Sequence, residues 1–299
     1  MYGLRYHLAS LAAVFLALMI GLFVGAGIND RGLTNKAARA LLERRVDLLS
    51  HRLDAATASS AAHAQAQRVA EAFVRETYPT LMANRLRGKR VAIVFVGAVD
   101  GALQSDIEQS LRDAGVARAL RLRALKVPID AHQIDAALVL ARVTQPALAR
   151  YLGDAKLGLL GRALAEELMA GDAGLWQTLN EQVVEERAGS DVRPADAVVL
   201  VQTAPAQRDQ TVPFLRGFYG GLTSAAAPVV AVQISSATTG APDLYGAAPI
   251  SIVDDIDKPA GRLALALLLA GAPTGHYGVK PAATNGILPP LAAPPVLGG

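Results

Sequence analysis

"GKRVAIVFVGAVDGALQSDIEQSLRDAG", residues 88–115, decides the fold. Val91–Val96 is a short, continuous apolar run rich in β-branched residues, the pattern of a strand covered on both faces. A glycine turn follows, and then helical periodicity that stops at Gly115. Working outward, "ARALRLRAL" (117–125), "ADAVVLVQ" (195–202), "APVVAVQIS" (227–235) and "APISIVDD" (248–255) repeat the strand pattern. "RALAEELMAG" (162–171), "LWQTLNEQVVEERAG" (175–189), "TVPFLRGFYGGLTSA" (211–225) and "GRLALALLLAG" (261–271) read as helices. Strands alternating with helices predict an α/β domain over 88–279, a mostly parallel Rossmann- or flavodoxin-like sheet. Residues 130–188 read as a helical insertion, within which "DAALVLARV" is ambiguous between helix and strand.

Upstream, Arg5 and Asp30 bracket an uncharged stretch whose apolar part, Leu8–Ile28, is 21 residues long. As a helix it rises about 31 Å, the thickness of a hydrocarbon core, and it is longer than a secretory h-region. Residues 1–30 are therefore expected to be a single transmembrane anchor, with a cleaved signal as the alternative. Ala13, Ala17, Gly21 and Gly25 recur every four residues along one face, a small-xxx-small stripe that lets a second helix approach closely. The same spacing also arises because Gly and Ala are common in spans.

Residues 31–79 are expected to form a stalk, one helix over about 35–77 ended by Tyr78-Pro79. Leu42, Val46, Leu49, Leu53 and Ala56 follow the four-three spacing of a coiled-coil seam. Nine alanines between Ala55 and Ala72 keep helix propensity high where the seam turns polar at Ser60, His63 and Gln67. A long helix of this kind seeks a partner, and a homodimer or higher oligomer through span and stalk is expected. Residues 280–299 hold five prolines and read as a tail without structure, with Ile287 and Leu288 docking locally.

Charge is divided unevenly. Arg31–Arg90 carries 12 Lys/Arg against 5 Asp/Glu, and Val91 onward 16 against 20. A basic stretch after a span suits an anionic lipid or polymer surface, or is an ordinary solvated helix face. It has neither interleaved aromatics nor a binding motif, so no nucleic-acid partner is expected. The absence of cysteine excludes disulfides, thiolate metal sites and cysteine nucleophiles.

Three turns bear on chemistry. "GAVDGA" (97–102) stands where doubly wound folds bind phosphate, but its G-x-x-x-G spacing is neither a dinucleotide fingerprint nor a Walker loop. A tight strand-to-helix turn accounts for the same residues. "VDDIDKPAG" (253–261) places Asp254, Asp255 and Asp257 beyond a strand end, where oxygen ligands hold hard cations. More simply, Asp257 caps the next helix and the other two are exposed loop charges. "GHYG" (275–278) sets His276 and Tyr277 between glycines, as a metal or proton-transfer pair or as a loop on which Tyr277 packs. His276 and the stalk residues His51 and His63 are the candidate copper donors, although copper selects clusters of soft ligands and the sequence shows none. No hydrolase, zincin or kinase motif occurs, so no enzyme and no cofactor other than copper is expected.

The opening "LRYHLASLAAVFLALMIGLFVGAGI" and the closing "SIVDDIDKPAGRLALALLLAG…GHYG…ILPP" together resemble the mycobacterial copper transport protein B family, described as copper transport outer-membrane proteins. Within the closing motif Asp254, Asp257, Gly261, Tyr277 and Gly278 fall in order. The resemblance covers nearly the whole chain. It implies a span, a coiled coil and an α/β domain, and a role in copper homeostasis at the cell envelope of an actinobacterium-like organism. It also suggests a second role, a scaffold partnering envelope proteins of cell separation. An outer-membrane barrel would need repeated ten-residue alternating strands, which the sequence lacks. The resemblance places the domain outside the cytoplasm; the basic residues Arg31, Lys36, Arg39, Arg44 and Arg45 after the span argue the reverse by the positive-inside rule.

Overall fold

The computed structural model describes residues 3–27, 31–190, 192–237, 244 and 250–291, with side-chain surroundings for 11–24 and from 39 onward outside the gaps. The chain divides into two units, residues 1–72 and 73–299.

The first unit is helical. α1 is Gly3–Gly27 and α2 begins at Arg31, running to Met82 in the second unit. The side chains described in α1 are all exposed, Ala13, Ala17 and Gly21 among them. Gly25 lies outside the residues whose surroundings are described. Among the described residues no helix is long and apolar enough to cross a membrane. Of the span expected at 8–28, Ile28 lies outside the described residues, and side-chain surroundings are described only for 11–24. On α2 the seam faces solvent: Leu42, Val46, Leu49 and Leu53 are 60%, 62%, 61% and 65% exposed.

In the second unit α2 continues through Pro79, past the expected stop. A proline in the last turn removes a single helix hydrogen bond, to the carbonyl one turn back. Tertiary contacts offset it. Met82 and Leu86 are fully buried, and the Tyr78 hydroxyl donates to Asp113 at 3.0 Å.

From there the chain runs through β1 (Val91–Val96), α3 (Gly101–Asp113), β2 (Arg121–Leu125), α4 (Ala131–Ala141), α5 (Leu157–Ala170), α6 (Gly174–Thr178), α7 (Asn180–Val183) and β3 (Val184–Gly189). It continues with β4 (Ala197–Gln202), α8 (Thr211–Ser224), β5 (Val229–Val232), β6 (Ser251–Val253), α9 (Pro259–Leu269) and β7 (His276–Tyr277). The sheet order is β3-β2-β1-β4-β5-β6-β7, parallel except for β3. It is a doubly wound sheet. Val91, Ile93 and Phe95 face a layer containing α3, α9 and the end of α2, whereas Ala92, Val94 and Val96 face α4, α5 and α8. Because both faces are covered, β1 carries no polar alternation. Burying each such aliphatic side chain contributes about 1.5–3 kcal/mol.

One open reading is decided, one expectation changes, and the docking expected at Leu288 extends to more of the tail. "DAALVLARV" is mostly helix, α4, capped by Asp130 accepting from Gln133 N. "VEERAG" is not the end of a helix but strand β3, antiparallel to β2. Residues 280–289 do not stand free of the domain: Asn285 bonds His276 through backbone and side chain, and Leu288 packs on the core. β2 also hides two arginines. The Arg121 guanidinium donates to Leu168 O at 2.8 Å, in the last turn of α5, and to Arg193 O, so it caps that helix with a cation.

Candidate functional site

Ligands of doubly wound sheets bind at the carboxyl ends of the strands, beginning at the switch point between β1 and β4. Here the chain itself fills that crevice. Thr203 N and Ala204 N both donate to Val96 O, and the Thr203 hydroxyl donates to Ala98 O at 2.7 Å. Gly97 has φ +106°, and a Cβ on it would stand 2.8 Å from Ala204 N. At the start of α3 the Asp100 carboxylate accepts from Ala102 N and Leu103 N, so the donors a phosphate would use face a negative charge. The Gly97 turn is a structural closure.

The residues of the closing motif meet further along the same edge, beyond β5, β6 and β7. Asp254 follows β6 directly and is fully buried. One carboxylate oxygen accepts from Val279 N at 2.9 Å and Lys280 N at 3.3 Å; the other lies 3.1 Å from His276 Nε2. Gly278, at φ +141°, leaves room for this contact: a Cβ there would lie 1.9 Å from Asp254 Oδ1. Asp257 accepts from Ser235 N at 2.6 Å and the Ser235 hydroxyl at 2.7 Å, tying the loop after β5 to the turn after β6. Lys280 Nζ donates to Gln233 at 3.2 Å. Tyr277 is buried, and its hydroxyl donates to Pro273 O.

Two corrections follow from this geometry. Asp257 does not cap α9, whose N-cap is Lys258 with no side-chain capping bond, because the Asp257 carboxylate is held by Ser235 and paired with the Lys258 ammonium. Asp254 and Asp255 are not exposed loop charges; neither has any exposed surface. Asp255 is the unusual member. Its main chain takes the place where a Cβ on Gly261 would lie, 2.1 Å from Asp255 O, and both its carboxylate oxygens are buried without a hydrogen bond. Burial, then the charges of Asp254 and Asp257, push its carboxyl up to about 6. Burial also penalises the Asp257 charge, but the Ser235 bonds outweigh it and hold that carboxyl below its usual range.

Asp254, Asp257, Gly261, Tyr277 and Gly278 are thus one corner, each glycine giving room to an aspartate or its backbone. Sequence reading listed these five but missed Gln233, Ser235 and Lys280, whose only signal is lying just beyond a strand, and Asn285, which has no local signal and returns to His276 from further along the chain. His276 is brought to Asp254; His51 and His63 belong to the helical unit. Among the described residues no group of three or more His, Asp or Glu side chains is placed to hold a metal ion. As chemistry, the corner is a closed set of charge-assisted hydrogen bonds that locks β5, β6 and β7 together.

A doubly wound α/β domain, tied at its last strands by an aspartate-glycine corner and preceded by a long helix, defines the class. The chain belongs to the MctB family, described as copper transport outer membrane protein, whose model matches residues 1–288. No curated protein matches it.

Proposed function

We propose that this chain is a non-enzymatic, membrane-anchored protein of the cell envelope that serves copper homeostasis by docking other proteins. On this reading it is a scaffold and does not itself pass copper. The observation that carries it is the seam of α2, where Leu42, Val46, Leu49 and Leu53 are all at least 60% exposed on a helix of 52 residues. Four large aliphatic side chains in coiled-coil spacing have no role on an isolated helix, and a second copy packed along them would cover them. Membership of a copper-transport family supports the homeostasis part, and the uncharged stretch at 8–28 supports the anchor. His276, the one candidate copper donor in the α/β domain's motif, is engaged with Asp254.

Isothermal titration of the full chain in detergent with Cu(I) and with Cu(II) tests the reading. The expected result is no saturable site in the range of about a micromolar or tighter, with His276→Ala titrating as the parent does. Micromolar binding lost in His276→Ala would instead make the chain a copper carrier. The anchor and its direction are tested through the missing cysteines. Ala283→Cys is expected to react with a membrane-impermeant maleimide on wall-digested spheroplasts without lysis; labelling only after lysis would place the domain in the cytoplasm and sink the envelope reading.

A further inference from the structure

The seam of α2 has a direction. In coiled-coil positions Leu42, Leu49, Ala56, His63 and Ala70 are d, and Val46, Leu53, Ser60 and Gln67 are a. All are exposed, and all lie in the first unit on one unbroken helix. Large aliphatic side chains fill only the first half of the seam, as far as Leu53. Ser60, His63 and Gln67 then make it polar.

That asymmetry separates the ways in which a second copy could lie along it. A parallel pair in register sets aliphatic layers against aliphatic layers, and the polar residues against their own counterparts. An antiparallel pair over the same residues sets Leu42 against Gln67, Val46 against His63 and Leu49 against Ser60, which wastes the aliphatic half. An antiparallel pair confined to that half is matched in polarity, but it brings the g positions Arg45 and Arg52 together across the seam. In the parallel pair g faces e of the next heptad. Arg45 then meets Ser50 and Arg52 meets Thr57, with Asp47 and Asp54 one turn to either side of Ser50. The other charges do not oppose this. Glu43 and Glu71, at e, face Ala38 and Ala66, while Arg44 and His51, at f, lie on the far side. Arg39, the next a position upstream, ends the pairing at Leu42. Leu41, Leu48 and Val69, at c, stay outside the seam in either direction. Two chains held by N-terminal spans in one membrane also leave it the same way.

We infer that the partner of the α2 seam is a second copy of this chain, parallel and in register from Leu42 to Ala70. Valine at a between leucines at d, as in Leu42, Val46 and Leu49, favours two strands. The polar layers fix the register, because a slip of one heptad would put Ser60 on Leu53 and His63 on Ala56. This rests on the scaffold reading and deepens it, naming the seam's partner, its direction and its register.

The chain has no cysteine, so single cysteines report the pairing in the full chain in detergent. In a parallel pair Ala56→Cys and Ala70→Cys, both at d, come to the Cα separation of a disulfide, about 6 Å. Each alone is expected to form a covalent dimer under mild oxidation, in at least tenfold greater yield than Ala58→Cys on the outer face. Any antiparallel pair brings at most one of the two to its own counterpart, so crosslinking at a single site overturns the proposal. So does crosslinking at neither, or a sedimenting mass above two chains. The charges give a second measurement. Arg45→Glu with Arg52→Glu sets acid beside Asp47 and Asp54 and should weaken association by about tenfold. Adding Asp47→Lys and Asp54→Lys should restore it, and an association indifferent to both changes overturns the parallel pairing. Copper titration and maleimide labelling test the scaffold reading without reference to what covers the seam, so that reading can stand where this inference falls.

Discussion

Gly217→Ala should destabilise the α/β domain by about 3 kcal/mol or more, whereas Gly220→Ala, three residues along the same helix, should leave it unchanged or stabilise it. The difference comes from what a methyl group would meet. At Gly217 it would stand 1.9 Å from the carbonyl oxygen of Gly158 on α5, a backbone atom that cannot turn aside. Gly161 and Gly221 are as tight, 2.1 Å from Phe214 O and 2.6 Å from Arg162 O. α5 and α8 therefore touch backbone to backbone, and any side chain at the crossing forces them apart. Phe214 and Phe218, both fully buried, would lose contacts as the helices separate. At Gly220 a methyl group finds only the end of the Arg162 side chain, at 3.6 Å, and alanine is the better helix former. Trp176, the single tryptophan, reports on this interface. Its indole N–H donates to Leu164 O on α5, and its ring meets Phe218 of α8 edge-on at 6.2 Å. Urea unfolding followed by its fluorescence gives both variants on one scale, and equal midpoints for the two would refute the backbone-contact account.

The same pair of helices shows how far a sequence carries. "RALAEELMAG" and "TVPFLRGFYGGLTSA" announce helices through periodicity, which is a local property. That their glycines face one another is a tertiary fact, and nothing in either segment names the other. Small-residue spacing is conspicuous in the 8–28 stretch because nearly every neighbour there is apolar; in α8 it lies hidden among aromatics. β3 was illegible for a related reason. "VEERAG" has neither alternation nor β-branched content beyond Val184, and it becomes a strand because β2 offers an unpaired edge. The parallel strands were legible because burial on both faces writes itself as an uninterrupted apolar run. At the corner, aspartates beyond a strand and glycines around His276 and Tyr277 stood out by type. Their burial did not, since a carboxylate read in a line of sequence looks the same whether solvated or held by two backbone donors.

Asp254→Ala is expected to cost about 3–4 kcal/mol at pH 7, because it leaves a fully buried carboxylate's three part-buried donors, Val279 N, Lys280 N and the His276 ring, without their acceptor, at about 1 kcal/mol or more for each. The loss should also depend on pH, through Asp255. Its folded carboxyl titrates near 6, above the ordinary 3.8, so the native state holds this proton more tightly than the unfolded chain does. Stability from that source is fully present below the unfolded value and is lost as pH rises through about 6. Since the shift is caused by burial first and by the Asp254 charge second, removing Asp254 relieves only part of it. In the parent, Asp255 alone should lower stability by about 1–2 kcal/mol between pH 4 and 7, after allowance for screening. In Asp254→Ala that decline should be shallower, so the cost of the substitution is largest near pH 4 and shrinks toward neutrality. Asp196 and Asp257, whose carboxyls are held low by Arg90 and by Ser235, act in the opposite sense in both proteins and cancel in the comparison. Urea unfolding at pH 4.5, 5.5 and 7, again read at Trp176, gives the two curves. Parallel curves would mean that the Asp254 charge does not reach Asp255, and that the corner is held by its hydrogen bonds alone.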